Sequence, residues 1–129
     1  MRLLLDTYVL LWALDEPARL DRSIRDLLED PTNEVLFSAA SIWEIAIKVR
    51  LGRLDFPIRP ERIAESAQAT GFIELPVHAA TAARVAELPL HHRDPFDRLL
   101  VAQAMAEPAR FYTADAKLAA YSELVTVIQ

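Results

Sequence analysis

The sequence predicts an α/β fold: a mostly parallel central sheet of about four to five short strands, with helices on both faces. Three observations carry this. Short apolar runs alternate with longer stretches whose apolar residues recur at helical spacing. The strand-like runs, among them Leu3-Leu4-Leu5 and Val35-Leu36-Phe37, are continuously apolar, as strands covered on both faces are. Both glycines and most of the eight prolines fall between periodic segments, where they act as punctuation. At 129 residues, 53% of them apolar, the chain is expected to form one domain over 1–129 with a sizeable core.

Taken in order, Leu3–Asp6 reads as a short strand and Thr7–Leu14 as a helix. Arg22–Glu29 is a helix with Ile24, Leu27 and Leu28 on one face, and Val35–Ser38 is a strand. Ala40–Leu51 carries Ile42, Ile45, Ala46 and Val49 at helical spacing, with Gly52 placed to end the helix. Pro60–Thr70 is a helix with proline at its start and Gly71 past its end. Phe72–Leu75 is a strand ended by Pro76, and the alanine-rich Ala79–Leu88 is a helix stopped by Pro89. Pro95–Ala106 is a helix with Asp94 as N-cap and Pro95 at its first position. Arg110–Tyr112 and Leu124–Ile128 are strands, with a short helix near Lys117–Tyr121 between them.

Composition excludes several classes of function. With no cysteine there is no disulfide scaffold, Cys-based zinc site, iron–sulfur cluster or thiol nucleophile. No apolar run approaches the roughly 18 residues that span a bilayer, and Asp6 interrupts the only signal-like start. A cytoplasmic protein without a membrane partner is expected. Fourteen basic residues against 19 acidic ones give a net charge of −5, which opposes broad electrostatic binding of nucleic acid. Divalent cations held by some of those acids would offset most of that charge.

In open α/β sheets, ligands bind beyond the carboxyl ends of the strands. Asp6 ends the first strand, and Asp115 follows the strand Arg110–Tyr112. Glu44 lies in the early turns of the helix after Val35–Ser38, and Asp97 lies in the first turn of the Pro95 helix. All four therefore fall on one edge. Clustered carboxylates repel one another, and divalent cations relieve this better than helix dipoles do. An all-oxygen set without thiolate or a spaced His pair suits Mg²⁺ or Mn²⁺. Such an ion polarises a phosphodiester and activates water, so hydrolysis of a nucleic-acid backbone fits best.

Structural roles compete with this one. Asp6 and Asp115 could cap the elements that follow them, and Asp97 at the third helical position would favour the dipole. Glu44 shares a stripe with Ser41 and Lys48 and could be a solvated partner of Lys48. His78, His91 and His92 lack ligand spacing, and His91-His92-Arg93 reads as a solvated loop. Trp12 and Trp43 sit among aliphatic residues and read as core. Ser38 and Ser41 have no histidine at a nucleophile spacing.

Four segments together resemble the PIN-domain ribonucleases, especially VapC-type toxins. They are Leu3-Leu4-Leu5-Asp6-Thr7 with Val9-Leu10-Leu11-Trp12, then Phe37-Ser38-Ala39-Ala40-Ser41-Ile42-Trp43-Glu44-Ile45, then Leu90 through Ala104, and Tyr112-Thr113-Ala114-Asp115. The resemblance implies a single PIN-like domain and a metal-dependent endoribonuclease. It implies that Asp6, Glu44, Asp97 and Asp115 form an acidic catalytic cluster, with Asp6 and Asp97 the firmest ligands of Mg²⁺ or Mn²⁺ and the other two direct or through water. Thr7, Ser41 and Thr113 would be polar supports around them. It also implies a cognate VapB-type antitoxin that blocks the site, binding of operator DNA only through that complex, and a homodimer. Tyr8 stands where many such toxins carry histidine after Asp-Thr, which bears on local packing or substrate contact.

Under this reading RNA is the substrate, with Lys48, Arg50, Arg53, Arg93 and Arg98 the cations nearest the motifs. The non-enzymatic alternative is a catalytically weak module of the same fold that acts by binding an antitoxin or RNA. An Asp-nucleophile phosphohydrolase would want a second acid two residues after Asp6, where Tyr8 stands. A phosphoacceptor receiver would want an acceptor Asp after the third strand, where Ile73-Glu74-Leu75-Pro76 supplies none.

Overall fold

The computed structural model describes residues 1–54 and 58–128. Strand β1 (Arg2–Leu5) is the middle of a five-stranded sheet. It pairs in parallel with β2 (Glu34–Ser38) on one side and β4 (Arg110–Thr113) on the other. β3 (Ile73–Leu75) lies outside β2 and β5 (Val125–Val127) lies outside β4, both parallel. The order is β3-β2-β1-β4-β5. The chain therefore winds outward from β1 through β2 to β3, then crosses back to β4. The direction of winding reverses between β1 and β4, so the crevice of the sheet opens at their carboxyl ends.

Leu3, Leu4 and Leu5 are all fully buried because each face of the sheet is covered. Side chains alternate across a strand, so Leu3 and Leu5 face one layer and Leu4 the other. With Val35, Phe37 and Tyr112, the first pair packs against four helices: α1 (Thr7–Asp15), α2 (Arg22–Glu29), α3 (Ala39–Arg50) and α4 (Pro60–Thr70). These helices contribute Val9, Leu10, Ile24, Ile45, Ile63 and Ala67. Leu4, with Leu36 and Phe111, packs against Leu100, Val101 and Ala104 of α6 (Pro95–Ala106) and against Leu118.

Most boundaries lie within a residue of the sequence expectation, and Gly52 and Gly71 adopt the positive φ (67° and 100°) expected after a helix. Two elements differ. The Ala79–Leu88 helix is shorter: α5 (Ala79–Arg84) gives way to a 3-10 turn over Val85–Glu87. There the Arg98 guanidinium donates to the carbonyls of Val85 (3.2 Å) and Leu88 (3.0 Å), which the α ladder leaves open. The short helix after β4 is a 3-10 helix over Ala116–Tyr121.

A buried polar bridge fixes α6 to the sheet edge. The Ser38 hydroxyl donates to Gln103 Oε1 (2.6 Å), and Gln103 Nε2 donates to the Pro76 carbonyl (3.2 Å). Ser38 also accepts from the Ala40 amide, capping α3. Gln103→Leu leaves the buried Ser38 hydroxyl without its acceptor and the Pro76 carbonyl without its donor. It is expected to lower unfolding stability by about 1–3 kcal/mol in urea denaturation. An unchanged urea midpoint would show the bridge to be energetically idle.

Candidate active site

Asp6 emerges directly from the central strand, its amide held by the Tyr112 carbonyl at 3.0 Å. It is only 6% exposed. Oδ1 accepts from the Val9 amide at 2.8 Å, capping α1, and Oδ2 accepts from the Thr113 hydroxyl of β4. The helix cap expected of Asp6 is present, and the same carboxylate sits at the switch point. Burial pushes its carboxyl up to about 6, against the lowering effect of these hydrogen bonds, and the Glu44 charge adds to the rise.

Glu44 is 3% exposed, so it is not a solvated residue of a helix face. It does pair with Lys48, whose Nζ lies 2.6 Å from Oε2. The Thr7 hydroxyl donates to Oε1 at 2.6 Å and lies 3.0 Å from the Ser41 hydroxyl. Thr7, Ser41 and Thr113 are all buried; Thr7 bonds Glu44, Thr113 bonds Asp6, and Ser41 meets Thr7. Burial opposes the charge on Lys48, but the Glu44 hydrogen bond and charge outweigh it and hold the ammonium above its ordinary value. Lys48 also sits 4.7 Å over the Tyr8 ring and donates to the Tyr8 hydroxyl at 3.3 Å.

Asp97 lies in the first turn of α6, and Asp94 is the N-cap, accepting from the amides of Phe96 (2.8 Å) and Asp97 (3.4 Å). Among the described residues, the Asp97 carboxylate receives no hydrogen bond. Burial pushes it up to about 7, and the charges of Asp94, Asp6 and Glu44 add to that against the opposing effect of His92. Asp115 follows β4 and caps the 3-10 helix through the Lys117 amide at 3.0 Å. Burial acts to raise its carboxyl, but the Lys117 amide and His92 outweigh this and hold it below the ordinary range.

His92 is not in a solvated loop. Its Nε2 lies 2.7 Å from Asp115 Oδ2 and 3.7 Å from Asp97 Oδ2. These three residues each bring one ligand-type atom within 4.8 Å of the others. That compact group leaves out Asp6 and Glu44, whose oxygens are turned toward protein donors, although both charges reach Asp97. Sequence reasoning missed His92 because its partner is 23 residues away and no local spacing signals the contact. Trp43, read as core, is 62% exposed and meets Phe96 edge-on at 5.2 Å, a position off the Ile42/Ile45 stripe. Trp12 does pack against the core. Of the basic candidates, Arg50, Arg53 and Arg93 are exposed, whereas Arg98 is committed to two carbonyls.

The donor set fits a hard divalent cation. It is rich in carboxylate oxygen and has no thiolate. Asp97 has open lone pairs, and burial makes the ionisation of Asp6 and Asp97 unfavourable without a counter-charge. An arrangement of this kind can hold a cation at the sheet's crevice and leave one side open to an anionic ligand.

The model of the PIN domain family matches residues 3–124. The chain belongs to the PIN domain family. Solved structures agree in fold along nearly the whole length. One is VapBC2 from Rickettsia felis bound to a DNA fragment from their promoter, at 17% identity and TM-score 0.73, with all of both chains covered. FitAB bound to an IR36 DNA fragment is 23% identical with TM-score 0.62, covering 97% of this chain and 94% of that one. FitAcB from Neisseria gonorrhoeae is 23% identical with TM-score 0.53, covering 90% and 89%. No curated protein matches in sequence. Among the described residues, no helix of this PIN chain is long and apolar enough to cross a membrane.

Proposed function

We propose that the chain is a divalent-cation-dependent endoribonuclease, the VapC-type toxin of a toxin–antitoxin pair, with one PIN domain over 1–129. What supports this is the electrostatic coupling of three acids at the switch point: the charges of Asp6 and Glu44 both reach Asp97, and His92 links Asp97 to Asp115. Two of these carboxyls are pushed to about 6 and about 7 by burial and by one another. Unrelieved, such a cluster is costly, and functional sites are where that cost is found.

Asp6 and Asp97 would hold the ion, Mg²⁺ or Mn²⁺, with Glu44 and Asp115 completing the set directly or through water. Such an ion, when bound, supplies Lewis-acid activation of the phosphodiester and lowers the pKa of water. Thr113 and the Val9 amide orient Asp6, and Thr7 and Lys48 orient Glu44. These bonds set the carboxylates before substrate arrives, so little rearrangement is needed in the reaction.

A groove of about 500 Å³ borders the Lys48–Tyr8 pair and is lined by Tyr8, Trp12, Arg19 and Arg53, among others. Arg19 lies 5.4 Å over the Trp12 ring. Aromatic faces beside cations suit single-stranded RNA, whose bases stack while its phosphates seek positive charge. The VapBC2 and FitAB likenesses support a VapB-type antitoxin as partner and operator DNA binding through that complex; a homodimer in the cytoplasm belongs to the same proposal.

The test is cleavage of a mixed RNA pool by purified, antitoxin-free protein with Mg²⁺, with Mn²⁺ and with EDTA, beside Asp6→Asn. Cutting that requires the ion and vanishes in the variant is expected. Cutting that survives both EDTA and the substitution would place the chemistry elsewhere. A folded protein that binds Mn²⁺ but cuts nothing would favour a binding module.

A further inference from the structure

His92 has the appearance of a third metal ligand beside Asp97 and Asp115, but its hydrogen bonds assign it another role. The backbone amide of Asp94 points at Nδ1 from 3.0 Å. A backbone N–H can only donate, so Nδ1 is the unprotonated, accepting nitrogen. The proton of the neutral ring then lies on Nε2, which is 2.7 Å from Asp115 Oδ2. An ionised carboxylate can only accept, so both partners demand the same tautomer. In that tautomer Nε2 has no lone pair to give to a cation.

The backbone that carries the ring is held as well. The His92 amide donates to the Tyr121 hydroxyl at 2.9 Å, and His91 packs edge-on against the same Tyr121 ring with centroids 5.0 Å apart. Asp115 is held in turn, with Oδ1 on the Lys117 amide and Oδ2 on His92. Its own amide donates to the Thr113 hydroxyl oxygen (3.1 Å), and that hydroxyl donates to Asp6. A continuous chain of hydrogen bonds therefore runs from the N-cap of α6 through His92, Asp115 and Thr113 to Asp6.

We propose that His92 is a positioning residue: its Nε2–H fixes Asp115 toward Asp97, and it stays outside the coordination sphere of the ion. This rests on the reading of the acids as a divalent-cation site. A hydrogen-bonding partner behind a ligating carboxylate is worth roughly 10–100-fold in metal affinity. Glutamine places an N–H donor near the position of Nε2, whereas alanine places none.

The experiment has three arms. Long-range ¹⁵N–¹H correlation spectra of the metal-free protein read the ring tautomer without any variant, and the Nε2–H form is expected. Pulsed EPR of the Mn²⁺-loaded protein should show no directly bound ¹⁴N. Mn²⁺ titrations should give a Kd for His92→Gln within about 3-fold of the parent, and one weakened by about 10-fold or more for His92→Ala. A proton on Nδ1, a ¹⁴N coupling that is lost in His92→Gln, or equal loss of affinity in both variants would overturn the proposal. Failure of the unaltered protein to bind Mn²⁺ would sink the metal-site reading itself. The tautomer spectrum would still decide the hydrogen-bond assignment.

Discussion

Asp97→Asn is expected to abolish RNA cleavage and, at about pH 7.5 without metal, to make the protein more stable. The Asp97 carboxyl is pushed up to about 7 by burial and by Asp94, Asp6 and Glu44, so its ionised form is strained in the folded chain and relaxed in the unfolded one. One unit of such a shift corresponds to about 1.4 kcal/mol. Asparagine keeps the shape and removes the charge, so a gain of about 1–3 kcal/mol is expected at neutral pH, with a melting temperature several degrees higher. Near pH 4 the parent carboxyl is protonated as well, and the difference should shrink toward zero. Calorimetry at both pH values, beside the RNA assay, checks this. A variant that is inactive and also less stable at neutral pH would mean that Asp97 holds the fold together rather than straining it.

The second large effect is the dependence of stability on pH and metal. The folded-state values of about 6 for Asp6 and about 7 for Asp97 lie above the ordinary 3.8. Between those limits the folded chain keeps protons that the unfolded chain has released. The contribution of these two groups is therefore fully present below about pH 4 and is lost as the pH rises through 6 and 7. Asp115 works in the opposite sense, because its carboxyl is held low: its contribution is present above its unfolded value and lost on acidification. A divalent cation needs the ionised carboxylates, so its binding should release protons and restore stability most strongly at the higher pH. The rise in melting temperature on adding Mn²⁺ is expected to be several-fold larger at about pH 7.5 than at about pH 5. It should be nearly absent in Asp97→Asn. A metal-induced rise that is the same at both pH values would dissociate the ion from these acids.

Much of the site was legible because its parts are local signals. Asp94-Pro95 declares a helix start, which puts Asp97 in the first turn, and both assignments hold in the structure. Asp6 ends an apolar strand, so its place at the sheet edge follows from strand and helix periodicity alone. Other features were hidden because the same local pattern serves two ends. A Glu–Lys pair at i,i+4 looks the same whether water covers it or a neighbouring helix does. Only the packing of α1 against α3, which brings Thr7 to Glu44, decides that this carboxylate is buried. Trp43 stands one step from a core stripe, and a step on a helix is a turn of about 100°. That step separates core from surface here.

The sequence by itself determined the alternation of strand and helix, the caps, the two-sided cover of β1 and the placing of Asp6, Asp97 and Asp115 at strand ends or in a first helical turn. Those properties depend on residues within a few positions of each other, where backbone geometry dictates what can meet. The tertiary structure alone decided the strand order with its reversal between β1 and β4, the Ser38–Gln103–Pro76 bridge and the placing of His92 on Asp115. The bridge and the His92 contact join residues 23 to 65 positions apart. Contacts at such separations are made only when the chain crosses the sheet, and no local periodicity encodes which side chains that crossing brings together.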